Sequence, residues 1–149
     1  MTEDRSKQMF EVINNQRKVS IESVLFLSFA AEIQKNIPDS EGKTFTVVFI
    51  SDRKMKELNN LFRGRNSTTD VLSFPYVAER FEANKTILGE IVISAEQAQK
   101  QADENGLTLE GEIKQLILHG LLHLCGYDHE TDDGVMNARE LELREELGI

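Results

Sequence analysis

The sequence predicts an α+β domain, a single mixed sheet of about four strands with about five helices packed on it. Three observations point there. The 149 residues suffice for one core and are too few for two comfortable ones, so a single domain over 1–149 is expected. Hydrophobic residues at 40% and charged residues at 29% are the balance of a globular chain rather than a disordered one. The strand and helix signals follow one another as β-α-β-α-β-β-α-α-α.

Each element has its own signal. Residues 8–13 are short and partly β-like. Residues 21–33 carry a helical stripe of Ile21, Val24, Leu25 and Phe29, with Ser20 placed to cap it. Residues 38–42 read as a turn, and 44–50, TFTVVFI, as a β-branched and aromatic strand. Ser51 then caps a helix with Met55, Leu58 and Phe62 at helical spacing, and 63–70 is a loop of Gly, Asn, Ser and Thr. A short strand follows at 71–75, an exposed connection at 76–86, and a strand at 87–93 interrupted by Gly89 and Glu90. Ser94 with Gln97 has the form of a capping box, opening a helix whose Ala95, Ala98 and Ala102 suit close packing and which Asn105-Gly106 ends. The helix at 108–125 is apolar nearly all round in its second half, LILHGLLHLC, which predicts burial at the centre of the domain. Gly126 ends it, and Thr131 or Asp132 begins a last helix with Met136, Leu143 and Leu147 inward.

Composition excludes several function classes. One Cys provides no disulfide framework. The first ten residues mix charges of both signs with no apolar run, so no secretory signal is expected. The longest apolar stretch, 24–31, falls far short of the roughly 20 residues of a membrane span. A cytoplasmic protein without membrane contact is the expectation. The net charge of -9 disfavours broad nonspecific nucleic-acid binding. The charge is uneven, however. Residues 52–65 hold five basic residues against two acidic ones, and 130–149 hold seven acidic against two basic. Solvated helix faces account for both runs, although the first could bind a polyanion locally.

All three histidines, His119, His123 and His129, fall within eleven residues. His119 and His123, four apart on a helix, project from one face. Gly126 can adopt positive φ, end the helix and return the chain, bringing His129 to the same point. Three converging neutral imidazoles with a fourth position open suit a catalytic zinc or similar ion. Unligated, each ring on so apolar a helix would leave polar nitrogen to be satisfied in a dry place. The pattern H-x-x-x-H-x-x-G-x-x-H is shared with metzincin-type zinc peptidases, which place a Glu general base directly after the first His. Here Gly120 stands there, which disfavours a peptidase; its expected role is to open space beside the metal and to let another backbone or substrate approach closely. Cys125 points away from the histidine face and reads as a small buried hydrophobe. Asp128 either orients a ligand imidazole or caps the local loop or the next helix.

These residues resemble a known family. HGLLHLCGYDH, 119–129, is similar to the signature of the YbeY family of metal-dependent endoribonucleases and rRNA maturation factors. NNLFRGRNSTTDVLSFP, 59–75, resembles that family's Arg-bearing loop and following strand, and LGEIVIS, 88–94, its sheet strand. The blocks stand in family order over essentially the whole chain. Phe62 replaces a common Tyr, and Thr68 a usual Pro. The resemblance implies metal ligands at His119, His123 and His129, with zinc the usual assignment for one divalent ion, and a functional arginine at Arg63. It implies an α+β fold with the metal on the buried helix and the loop after it. It also implies cleavage of single-stranded RNA, in processing of rRNA (the 3′ end of the small-subunit rRNA) and ribosome quality control. RNA and small-subunit ribosomal components are the expected partners, DNA is not.

Arg63 would supply a two-pronged guanidinium contact to phosphate. Arg65, Lys54 and Lys56 are weaker candidates for following the RNA backbone. Metal-activated water, the RNA 2′-OH, Asp70 and Asp128 all stand as candidates for the base. A ribosome assembly factor with a structural metal is the competing reading, but a structural zinc fills all four positions with protein ligands, and only three are visible.

Overall fold

The computed structural model describes residues 10–76, 87–128 and 133–149. Its elements run β1 Glu11–Asn14, α1 Ser23–Gln34, β2 Thr44–Ile50, α2 Asp52–Arg63, β3 Val71–Pro75, β4 Ile87–Ser94, α3 Ala95–Asn105, α4 Leu109–Leu124 and α5 Val135–Leu147. The fold is α+β, as the pattern predicted. The four strands form one mixed sheet in the order β1-β2-β4-β3. β1, β2 and β4 are parallel, and β3 runs antiparallel to β4 at the edge.

The period-2 alternation of the strands divides two cores. Phe45, Val47 and Phe49 of β2, with Ile91 and Ile93 of β4, join the larger one, filled by Phe26, Phe29 and Ile33 of α1 and by α4. Ile50, Leu72 and Val92 point to the other face, where Met55 of α2 covers them. Strand β2 is buried from both sides, which is why TFTVVFI carries no polar alternation beyond its threonines. Helix α4 is buried nearly all round because the sheet lies on one side of it and α1, α3 and α5 pack on others.

Caps follow the sequence closely. Ser51, Ser94 and Thr108 each accept a backbone N–H of the helix they open. The expected capping box is half formed: Gln97 turns its side chain to Asp52 rather than back to Ser94. Ser20 does not cap α1, which begins after Glu22 with no side-chain cap. The turn at 38–42 contains a 3-10 helix, Pro38–Ser40, held by the Ser40 hydroxyl on the Ile37 carbonyl. The connection expected after Tyr76, and the Thr131 or Asp132 start of the last helix, lie outside the described residues. The helix itself starts at Val135, with Met136 and Leu143 buried.

Gly120 allows the close approach expected of it, and the neighbour is the sheet. A Cβ there would stand 2.7 Å from Cγ2 of Ile91, which is fully buried in β4. Gly120 therefore lets α4 lie close against the sheet, and Ser73 of β3 donates to its carbonyl at 3.1 Å. A methyl added there would press on a stiff β-branched side chain, an overpacking cost of about 1–3 kcal/mol. The small residue sets the distance between helix and sheet.

Candidate active site

The end of α4 is a Schellman turn. Gly126, at φ 98°, donates its N–H to the His123 carbonyl, and Tyr127 donates to the Leu122 carbonyl. The reversal carries the Tyr127 carbonyl back to His123, whose Nδ1 lies 3.1 Å from it. On the preceding turn, His119 Nδ1 donates to Glu140 Oε1 of α5 at 2.6 Å. Arg144, one turn further along α5, donates to the other Glu140 oxygen at 2.5 Å. Burial pushes the Glu140 carboxyl up, but the His119 hydrogen bond and charge and the Arg144 guanidinium outweigh it, and the net shift is down. Glu140 is therefore ionised at neutral pH, and the stability it adds is lost only as pH falls through that lowered value.

These partners set the ring chemistry. In a neutral imidazole, an Nδ1–H that donates leaves the lone pair on Nε2. Both rings are oriented in this way, with centroids 4.8 Å apart and planes at 76°. Fixed tautomers backed by a carboxylate and a carbonyl are the usual support for ligating histidines. The donor set thus fits a divalent ion. His129 lies outside the described residues, and among those described no group of three His, Cys, Asp or Glu side chains gathers. Its neighbour Asp128 lines the same cavity as His119 and His123, where the Gly126 turn was expected to bring the chain.

That cavity has a volume of about 560 Å³. Arg63 and Arg65 also line it, with Asp70 just before edge strand β3 and Ser73 and Pro75 within that strand. Arg63 is the last residue of α2, where Gly64 at φ 66° stops the helix. Neither Arg63 nor Arg65 forms an ion pair among the described residues. The loop after Arg63 is held at two points. The buried Asn59 donates to the Ser67 carbonyl at 2.8 Å, and Thr68 donates to Asp52, which also accepts from Ser94 and Gln97. Lys54 and Lys56 do not line the cavity, and Lys54 pairs with Glu57 on its own helix.

Asp70, Val71 and His119 line both this cavity and a smaller one of about 290 Å³. The Val71 N–H donates to Asp70 Oδ1 at 2.7 Å. Gln101, with its amide nitrogen inward, reaches Asp70 at 3.2 Å and Glu112 at 2.8 Å. Burial and the charge of Asp70 push the Glu112 carboxyl up, with Arg144 opposing them. Cys125 is half-buried against the core, and burial with the Asp39 charge raises its thiol to about 11, in keeping with a hydrophobe rather than a ligand.

Comparison with known proteins places this geometry in a family. The family model described as Endoribonuclease YbeY matches residues 4–148. The chain belongs to the YbeY family. A relative from Thermodesulfovibrio yellowstonii, named Endoribonuclease YbeY, is 37% identical over 148 residues, covering 90% of this chain and 92% of the relative. One of the same name from Nautilia profundicola is 47% identical over 108 residues, covering 72% and 74%. The solution structure of TM1509 from Thermotoga maritima is similar with a TM-score of 0.62 and 30% identity, covering 93% of this chain and 88% of that one.

In this YbeY chain the structure gathers His119, His123 and Arg63 around one cavity. Sequence reasoning missed Glu140 and Arg144, which sit in the acidic last helix and read there as surface charge. Their one signal was their i, i+4 spacing on that helix. It also missed Asn59 and Asp52, polar residues of α2 whose partners are eight or more positions away in the chain.

Proposed function

We propose that the chain is a metal-dependent endoribonuclease that cuts single-stranded RNA. The observation that carries this reading is one cavity lined both by two oriented imidazoles and by two arginines that form no ion pair among the described residues. Family membership supports it, since the relatives are named as endoribonucleases. His119, His123 and His129 would hold the ion, with zinc the expected metal. When bound, it supplies Lewis acidity, polarising a phosphoryl oxygen and lowering the pKa of water.

The chain's own residues do the rest. Glu140 and the Tyr127 carbonyl hold the imidazoles in fixed tautomers. Arg63 presents a planar fork to two phosphate oxygens and offsets the charge that builds on them as the bond breaks. Asp52 and Asn59 fix the loop that follows it. Asp70 and Asp128 line the cavity within which a proton must be accepted. Processing of the small-subunit rRNA 3′ end and ribosome quality control are the proposed roles, with RNA and small-subunit components as partners in the cytoplasm. Among the described residues, no helix is long and apolar enough to cross a membrane.

The test is a cleavage assay with one labelled RNA presented alone and as a duplex. Internal cutting of the single strand, with the duplex spared, is expected. No cutting of either by metal-loaded protein would overturn the reading, and equal cutting of both would remove the single-strand preference.

A further inference from the structure

Phe62 is an aromatic residue left 60% exposed, beside a leucine, Leu61, that is 73% exposed. The ring is not loose. Phe74 of β3 holds it in an edge-to-face contact, with centroids 5.1 Å apart and planes at 70°. Phe74 itself packs against the small core of Ile50, Met55, Leu72 and Val92. Phe62 is thus anchored from below and open to solvent otherwise.

Its position is specific. The next residue, Arg63, lines the cavity, and so does Pro75, the residue after Phe74. The aromatic pair lies on the α2 face of β3, which Phe74 shares with Leu72, and Leu72 also lines the cavity. Gly64 stops α2 there, so ring and guanidinium share the last helical turn. Two cations, Arg63 and Arg65, follow the ring in the chain, and neither forms an ion pair among the described residues. A patch one ring wide next to cations suits a flat, π-faced group attached to a polyanion. An unpaired nucleobase is that group, and single-stranded RNA is read by stacking on such rings.

We propose that Phe62 is a stacking platform for an unpaired base of the RNA whose phosphate Arg63 holds. This rests on the nuclease reading above. Phe62 touches substrate away from the reacting atoms, so its loss acts on substrate binding. Base–aromatic stacking elsewhere corresponds to roughly tenfold or more in affinity.

The test compares wild type, Phe62→Leu and Phe62→Tyr on a short fluorescein-labelled single-stranded RNA. Leucine keeps apolar cover over Phe74 without a π face, and tyrosine keeps the face. Phe62→Leu is expected to raise Kd and KM about tenfold, with Phe62→Tyr near wild type. A second arm gives wild type a set of the same RNA, each with one abasic nucleotide. One position should cost wild type a similar factor and cost Phe62→Leu little further. If wild type cuts the RNA and Phe62→Leu binds and cuts equally well, the stacking inference is wrong while the nuclease reading stands. The same holds if no abasic position matters. If wild type neither binds nor cuts the RNA, the nuclease reading falls and the inference falls with it.

Discussion

His123→Ala is expected to lose bound metal and RNA cleavage together, leaving activity near the background of metal-stripped protein. The variant removes one imidazole whose Nδ1 is already committed to the Tyr127 carbonyl. It also takes a half-buried ring off the end of α4 while leaving the Schellman turn at Gly126 in place. The helix should still form, because its core contacts come from Ile113, Ile117, Leu118, Leu121 and Leu122, all fully buried. Elemental analysis, a melting curve and a cleavage rate on the same preparation separate the outcomes. Full metal content in His123→Ala would show that His123 is not a ligand. In wild type, metal affinity should weaken as pH falls below about 6.5, where protonated imidazole no longer ligates.

Arg63→Ala is expected to cost about a hundredfold in cleavage rate, on the order of 3 kcal/mol, with metal content and melting temperature unchanged. The separation follows from the site. Arg63 is exposed at the end of α2 and has no ion pair among the described residues, so its removal leaves no buried charge uncompensated. Arg63→Lys should recover only part of the rate, because a point charge does not reproduce the planar fork. Cleavage at the wild-type rate in Arg63→Ala would make Arg63 a solvated loop residue. Unfolding would make it structural.

Much of this was legible in the chain because the signals were local. The β-branched run of β2, the serine caps of α2 and α3, and the glycine stops at Gly106 and Gly126 act over a few residues, and the structure follows them. The histidine pair was legible because helix geometry places i and i+4 on one face. What stayed hidden depends on elements meeting through the fold. Glu140 reaches His119 only because α5 packs on α4, and in ARELELREEL only its i, i+4 spacing to Arg144 sets it apart from its solvated neighbours. Gly120 was read as leaving room at the metal and for a close neighbour, but the chain does not say which neighbour. Its neighbour in space is Ile91, across the helix–sheet interface. Ser20 failed as a cap because α1 begins three residues later.

The most direct measurement is a back-titration. Protein stripped of metal by chelation is returned to increasing divalent ion, and bound metal and single-strand cleavage are read in the same samples. Activity absent from the stripped protein, rising with bound metal and levelling at one ion per chain, is the expected result for a centre built on His119, His123 and His129. Full-rate cleavage by the stripped protein would contradict it.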